Sequence, residues 1–414
     1  ELGLDNKTTP FVQAGQWDSL KRGLLAGEHL HHDLKRMESA YLERNVREFE
    51  LTKHVSIALL DPFALVMLRE TGRCTVVVPE EIFDLDYPGH YFRRIKSVSL
   101  TLPCVVGPYT TISCTLRLES DSIRVKTTIG VSGYPRITDP SAGDPRFVEN
   151  SIPVKAIAAS SAQNDSGVFE LSFRDERYLP FEGAGAVSRW SLELFNDQEF
   201  RDPNTNEPDF GRPLRQFDYK TISDAILHVK YTAREDAGDF KNRAVTHLRT
   251  FFNQNGATPS LRMFNLRQEF PTQWQRFLSP TTANEYIFEF EMSPSFFRII
   301  DGGKTLKVNT IWLLARCTNP LDNCTVVITR PLLPAPPAPA VASPIMMTLI
   351  PSDEFGGLLF DQKDVKEVSP SVTIAPAHPP VRWQLAMTGH HDEDPQNALV
   401  EVEEVLLVLG YEWV

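Results

Sequence analysis

After residue 90, apolar side chains return at every second position in run after run. Val98, Leu100 and Leu102 make one such run, and Ile112, Cys114, Leu116 and Leu118 another. Phe169, Leu171 and Phe173, then Trp190, Leu192 and Leu194, then Leu227, Val229 and Tyr231 repeat the pattern. It resumes in Tyr286, Phe288, Phe290 and Met292, in Trp312 and Leu314, and in Val381, Trp383, Leu385 and Met387. Period two sends successive side chains to opposite faces of a strand, so each run predicts a strand with one buried face. Turn residues and not helices separate most of the runs, which predicts antiparallel sandwich or jelly-roll sheets and argues against a parallel sheet with crossover helices.

The most specific stretch is QNDSGVFELSFRDERYLPFEGAG, residues 163–185. Asn164, Asp165, Ser166 and Gly167 are turn formers. The alternating run after them ends in the charged break Arg174–Arg177, which discourages edge pairing. Tyr178, Leu179 and Phe181 around Pro180 then turn the chain back onto the core, and Gly183 and Gly185 allow the return. With Trp190–Leu194 following, two antiparallel strands joined by a compact apolar corner are expected. Asp175 and Glu182 would be the carboxylates of an acid/base pair, but a charged strand-edge turn accounts for them without chemistry.

Upstream the rhythm changes. From Gln16 to about Ala58 there is no Pro, and Trp17, Leu20, Leu24, Leu34 and Tyr41 follow a 3/4 spacing interrupted by Gly27 and His31. One long helix is expected there, about 60 Å for roughly forty residues, with Asp61-Pro62 ending it. His29 and His32 share a face of it and His31 does not; without a placed carboxylate they read as a solvated or interhelical face, not a metal site. The expected architecture is mainly β: a polar leader and long helix (1–60), a first antiparallel β-sandwich (61–234), a linker helix (235–258) and a second β-sandwich (259–414). In the first, Phe63–Leu68 is a short apolar segment, Cys74–Val78 a candidate strand, 79–96 an aromatic loop, and 130–151 a long Gly/Pro/Asp-rich surface loop. In the linker, Val245, Leu248, Phe251 and Phe252 would form the apolar side.

Asp202, Asn204 and Asn206 stand at calcium-loop spacing, but DPNTNEPDFG lacks the glycine and distal glutamate of an EF-hand and reads as an ordinary loop. HHDED at 390–394 reads as a solvated turn, and PLLPAPPAPAVASP at 331–344 as an extended connector. The formal net charge of -12 argues against nucleic acid or an anionic membrane as partner. Cys74, Cys104, Cys114, Cys317 and Cys324 have no zinc-type spacing and read as free thiols, with Cys104/Cys114 or Cys317/Cys324 able to meet. No run of about 18 apolar residues is present to span a bilayer as a helix, and no signal peptide is recognised. The start at Glu1 reads as a fragment or processed product. No nucleophile–base pair, phosphate loop or metal cluster is apparent, so no catalysis, metal or cofactor is expected.

Four segments carry a family resemblance: LLAGEHLHHDLKRMESAYLERN, RRIKSVSLTLPCVVGPY, QNDSGVFELSFRDERYLPFEGAGA and ISDAILHVKYTARE. In this order and spacing they resemble the C-terminal end of the A subunit of Tc (toxin complex) insecticidal toxins, over roughly residues 1–234. The resemblance implies a homopentameric, syringe-like translocation subunit, part of a secreted or released complex acting at the host cell surface or endosome. Its membrane-crossing segments would lie upstream. The helix would be the end of the stalk, and residues 61–234 the domain that docks the cocoon of B and C subunits through the propeller of the B subunit. Polar turns on such a scaffold are where contacts are expected, which singles out Asn164, Asp165, Ser166, Asp202, Asn204 and Asn206 within loops 130–151, 163–167 and 198–214. The alternative is a carbohydrate- or receptor-binding sandwich in which Trp274, Trp312, Trp383 and Trp413 supply stacking surfaces.

Overall fold

A computed structural model describes residues 23–44, 47–107, 112–129, 133–137, 143–150, 158–161, 168–171, 181–197, 214–253, 260–279, 286–297, 305–317, 323–329, 344–365, 372–374, 381–390 and 402–413. Residues 1–49 and 50–414 form two separate units. In the first, helix α1 spans Gly23–Arg44. Along it His29, His31 and His32 are all exposed, and Leu34 and Leu42 are 43% and 68% exposed. Helix does not continue to Ala58 as expected, because Phe49–Ser56 is strand β1. The segment FELTKHVS carries its own period-two pattern, with Phe49, Leu51, Lys53 and Val55 turned inward, and Thr and Val favour the extended backbone.

The second unit begins at Glu50, one residue into β1. Short helices α2 (Ile57–Leu60) and α3 (Pro62–Thr71) follow, then β2 (Arg73–Val78), α4 (Glu80–Asp84), β3 (His90–Pro103) and β4 (Ser113–Arg124). Pro62 begins a helix here as well as ending one: it stands at the first helical position, where its missing N–H costs nothing. Asp61 Oδ1 caps α3 by accepting from the N–H groups of Phe63 and Ala64 at 3.1 and 3.2 Å. Gly72, at φ 77, closes it. Residues 79–96, expected as a loop, hold α4 and the start of β3.

Strands β5 (Phe147–Asn150), β6 (Ala158–Ser161), β7 (Val168–Leu171), β8 (Val187–Leu194), β9 (Asn196–Asp197), β10 (Leu214–Arg215) and β11 (Ile226–Glu235) complete the first β region. One sheet has the order β1-β11-β3-β7; the other runs β2-β8-β4-β5, with β6 also on β4. Leu100 and Val229 from one sheet share a core with Val76, Leu116 and Leu192 from the other. β7 and β8 are therefore not paired with each other as expected. β7 lies on β3 and β8 on β2 and β4, so the corner between them passes from sheet to sheet. Phe181 seals that crossing edge to face on Trp190, with centroids 4.8 Å apart. At Gly185 the N–H donates to Asp121 Oδ2 at 2.5 Å, and a Cβ would overlap the Ser122 backbone.

Helix α5 (Asp239–Asn253) leads to β12 (Ser260–Asn265), α6 (Leu266–Glu269), α7 (Pro271–Phe277) and β13 (Tyr286–Met292). β14 (Leu306–Cys317), β15 (Asn323–Thr329), β16 (Ile345–Ser352), β17 (Leu358–Asp364), β18 (Val372–Ile374), β19 (Val381–His390) and β20 (Val402–Trp413) complete the chain. They form one antiparallel path, β12-β20-β14-β17-β16-β15-β19-β13, with β18 beside β14. Residues from both ends of that path, such as Phe264, Leu407, Phe290 and Trp383, meet in a single core.

The two β regions touch through α3. Its Leu65 and Leu68 enter the first core, while Val66, Phe63 and Met67 pack on Leu314, Leu406, Val408 and Phe355. β20 is consequently covered on both faces, Leu407 and Leu409 facing their own core and Leu406 and Val408 facing α3. That is why its sequence is a continuous apolar run and not an alternating one. Charged pairs frame the joint: Arg69 Nη2 donates to Glu404 Oε1 at 2.7 Å, Lys220 pairs with Glu403 at 3.0 Å, and Arg316 pairs with Glu70. No described helix is long and apolar enough to cross a membrane.

Candidate functional site

A scaffold that presents loops must hold their bases still, and the first β region does so with charge. At the end of β4, Arg124 is buried. Its Nε and Nη2 donate to the two carboxylate oxygens of Glu80 at 2.9 and 2.7 Å, and Nη2 also donates to the Tyr134 carbonyl at 2.9 Å. Tyr134, Phe147 and Phe240 surround the guanidinium, their centroids 4.6, 4.4 and 5.4 Å away. On β3, Arg93 donates to Glu80 Oε1 at 3.1 Å and to Asp84. The Tyr134 hydroxyl donates to the other Asp84 oxygen at 2.6 Å.

Two arginines thus face two carboxylates in an apolar surround, which is tolerable only because every charge has an opposite one in hydrogen-bond contact. Burial pushes the Asp84 carboxyl up to about 6, Glu80 adds to the rise, and Arg93 pulls the other way. The Tyr134 hydroxyl is pushed up by burial and by the two carboxylates.

A second staple lies in the loop that follows β4. Arg146 forks onto Asp144, Nε–Oδ1 at 2.9 Å and Nη2–Oδ2 at 2.6 Å, and donates to the carbonyls of Gly133 and Pro135 at 2.8 and 2.9 Å. The Ile137 N–H donates to Asp144 Oδ2 at 3.1 Å. That fork holds the Asp144 carboxyl well below the usual carboxylate range. From α5, Phe240 and Ala244 pack on Tyr134, and His247 Nε2 is 3.0 Å from Glu81 Oε1. The inward face of α5 therefore reads Phe240, Ala244, His247 and Phe251, of which Phe251 belongs to the expected Val245, Leu248, Phe251 and Phe252 side.

Strand register sorts the expected contact loops into two groups. Ser161 pairs with Ser113 and Leu194 with Cys114, so β6 and β8 both end at the start of β4. The chain leaves β6 there after Ser161, and β8 leads into the short β9–β10 ladder that bounds residues 198–213, held near the start of β4 by the Ser113 N–H donating to Gln216 Oε1 at 2.8 Å. Arg124 pairs with Phe147, so loop 125–146 leaves at the other end. Asn164, Asp165, Ser166, Asp202, Asn204 and Asn206 lie outside the described residues, as does Asp175; Glu182 is exposed. The charge network has no sequence motif, since its members are spread over 80–146 with no common spacing. The one available signal was the density of Arg, Asp and Glu beside aromatic residues in EEIFDLDYPGHYFRR.

Stacking surfaces for sugar are not provided by the tryptophans. Trp274, Trp383 and Trp413 are 3%, 1% and 6% exposed. Trp312 lies edge to face on Phe63 at 5.5 Å, with its indole N–H donating to Gln362 at 3.0 Å. All five cysteines are free, four of them buried. Among the described residues no group of three or more His, Cys, Asp or Glu is assembled to hold a metal ion.

Sequence comparison gives the class of this two-sheet β body with its charge-stapled loop. The chain belongs to the Tc toxin complex family, matching the model of the TcA C-terminal TcB-binding domain over residues 1–233. A particular relative is the toxin subunit YenA2 of Yersinia entomophaga, 37% identical over 244 residues that make up 58% of this chain and 16% of YenA2. Similar solved structures include the empty particle of Cowpea mosaic virus, with 6% identity and a TM-score of 0.23 over 88% of this chain and 89% of that one. Another is the CBM22-1-CBM22-2 tandem domain of Paenibacillus barcinonensis Xyn10C, with 9% identity and a TM-score of 0.17 over 82% of each chain. At these TM-scores neither bears on fold or function.

Proposed function

We propose that this chain is the docking end of a Tc-type A subunit and that residues 61–234 bind the propeller of a B subunit, joining a B–C cocoon to a homopentameric channel. The match of the TcB-binding-domain model to residues 1–233 carries the reading. In it the chain is structural and not catalytic, and the complex is released and acts at the host cell surface or endosome. α1 belongs to the stalk. Residues 235–258 link to a second β region, 259–414, that braces the docking domain through α3.

The docking face is the end from which loops 162–167 and 198–213 leave, and Asn164, Asp165, Ser166, Asp202, Asn204 and Asn206 are its contact residues. Polar loops at one end of a rigid body are free to recognise a partner, whereas the strand interiors are committed to the core. Five copies around an axis would multiply a modest contact by avidity. The stapled loop at the other end is a support.

The test measures binding of a B–C cocoon to the chain carrying exchanged loops. Exchanging 162–167 and 198–213 together should abolish binding, and exchanging 138–142 should leave it within about twofold, a free-energy change of the size usual for sites away from an interface. The opposite pattern moves the docking face to the stapled end. Undiminished binding in both variants, with the fold intact, removes the loops from the interface altogether.

A further inference from the structure

At the end of the first β region where β4 starts, two large apolar side chains stand in solvent. Val105, just after β3, is 72% exposed, and Phe195, just after β8, is 46% exposed. Scattered apolar residues are ordinary on a surface, but these two are held by one turn. Tyr219–Thr221 is a single 3₁₀ turn, with Tyr219 fully buried and Phe217 edge to face on its ring at 4.8 Å. From that turn the Tyr219 hydroxyl donates to the Phe195 carbonyl, while on the other side the Leu194 N–H donates to the Gly72 carbonyl at 2.8 Å. Thr221 Oγ1 accepts from the Val105 N–H at 3.2 Å and donates to the Asp218 carbonyl at 2.7 Å. The Ser223 N–H donates to the Pro103 carbonyl at 3.0 Å, so the chain leaving β3 is tied to this segment twice.

We propose that Val105 and Phe195 are the apolar anchors of the contact with the B subunit, seated against apolar surface on its propeller, with the polar loops as the rim. This rests on the docking reading above and adds to it the side chains that carry the affinity. The occupant follows from the family, whose matched domain binds TcB, and from position, since the pair stands at the end where β6 and β8 finish. Neither residue is a member of the core beneath, so the interior does not require an apolar group at either place. Binding energy concentrates in a few aromatic or aliphatic anchors, ringed by polar contacts that exclude water without adding much affinity. With the backbone on each side already hydrogen-bonded, docking has little of it left to order, which favours tight binding from a small patch.

Binding of a purified B–C cocoon to the whole chain tests this, with circular dichroism and urea midpoints to check that each variant is folded. Phe195→Ala should weaken binding at least about tenfold, Val105→Ser several-fold, and the double variant by about a hundredfold. The loss should be the same at low and high salt, since salt screens charges and leaves an apolar contact in place. Hydroxyl-radical footprinting of the wild-type chain is a readout that needs no variant. Phe195 should be protected from oxidation in the complex, while Phe296 and Met346, exposed on the second β region, stay reactive. Undiminished binding by the folded double variant, or a Phe195 still oxidised in the complex, overturns the anchors; docking at this end then stands if the loop exchange abolishes binding. A wild-type chain that does not bind the cocoon overturns the docking reading and the anchors with it. Protection of Phe195 that grows with the concentration of the chain alone overturns the choice of partner, since a second copy would then be the occupant.

Discussion

Arg124 would be a poor choice of residue for its position if any one neighbour were missing. It is buried among three aromatic rings and answers to Glu80 and the Tyr134 carbonyl at once. Truncating one member of a buried ion network strands the other charge, which costs about 3–5 kcal/mol. Arg124→Ala should therefore lower urea stability by that amount, and a loss below about 1 kcal/mol, the range of exposed pairs, would mean that the network is hydrated. Asp84 makes a prediction of opposite kind. Its folded carboxyl is raised to about 6 from an ordinary value near 3.8, so the folded state holds that proton more tightly than the unfolded one. Its contribution to stability is complete below the ordinary carboxylate value and is lost as pH rises toward about 6. Urea midpoints measured across that window should fall for the wild-type chain relative to Asp84→Asn; a wild-type curve parallel to that of the variant contradicts the assignment.

Among the elements, α3 does the most with the fewest residues. Phe63 and Val66 enter one apolar cluster and Leu65 and Leu68 another, and Arg69 reaches Glu404 on β20. Phe63→Ala with Arg69→Ala should weaken that joint, so that a single calorimetric transition in the wild-type chain becomes two. One unsplit transition at lower temperature would show that the β regions remain coupled by other contacts. The sequence shows α3 only as a short apolar segment, because a helix buried on two faces has no polar side to reveal its period. Period two was legible wherever one face met solvent, as at Trp190–Leu194 and Phe288–Met292, and those strands are where the pattern predicts them. Pairing was not legible. Nothing local in Phe169–Leu171 says that it joins β3 while Trp190–Leu194 joins β2 and β4, since alternation reports a buried face and not the neighbour across it. The start of β1 is hidden because FELTKHVS follows a charged helical stretch without Pro or Gly to mark the boundary. Turn chemistry marks polar loops as candidates for contact but does not say at which end of the sheets each one lies; strand register alone separates loop 125–146 from the loop that follows β6.

For the molecule as a whole, α3 and the flanking ion pairs make the second β region a fixed neighbour of the family-matched domain and not a loosely tethered addition. Whatever the docking domain binds, that region moves with it. Order along the chain has a further effect on biogenesis. β1 is made first in its sheet, yet its partner β11 begins about 170 residues later, Phe49–Ser56 against Ile226–Glu235. At roughly 5–20 residues per second of synthesis, β1 waits on the order of 10–30 s with an unpaired edge before the strand that receives it exists. Over that interval the nascent segment FELTKHVS is a substrate for chaperones and proteases, and the two charged residues it carries, Glu50 and Lys53, are its protection against premature association with another chain.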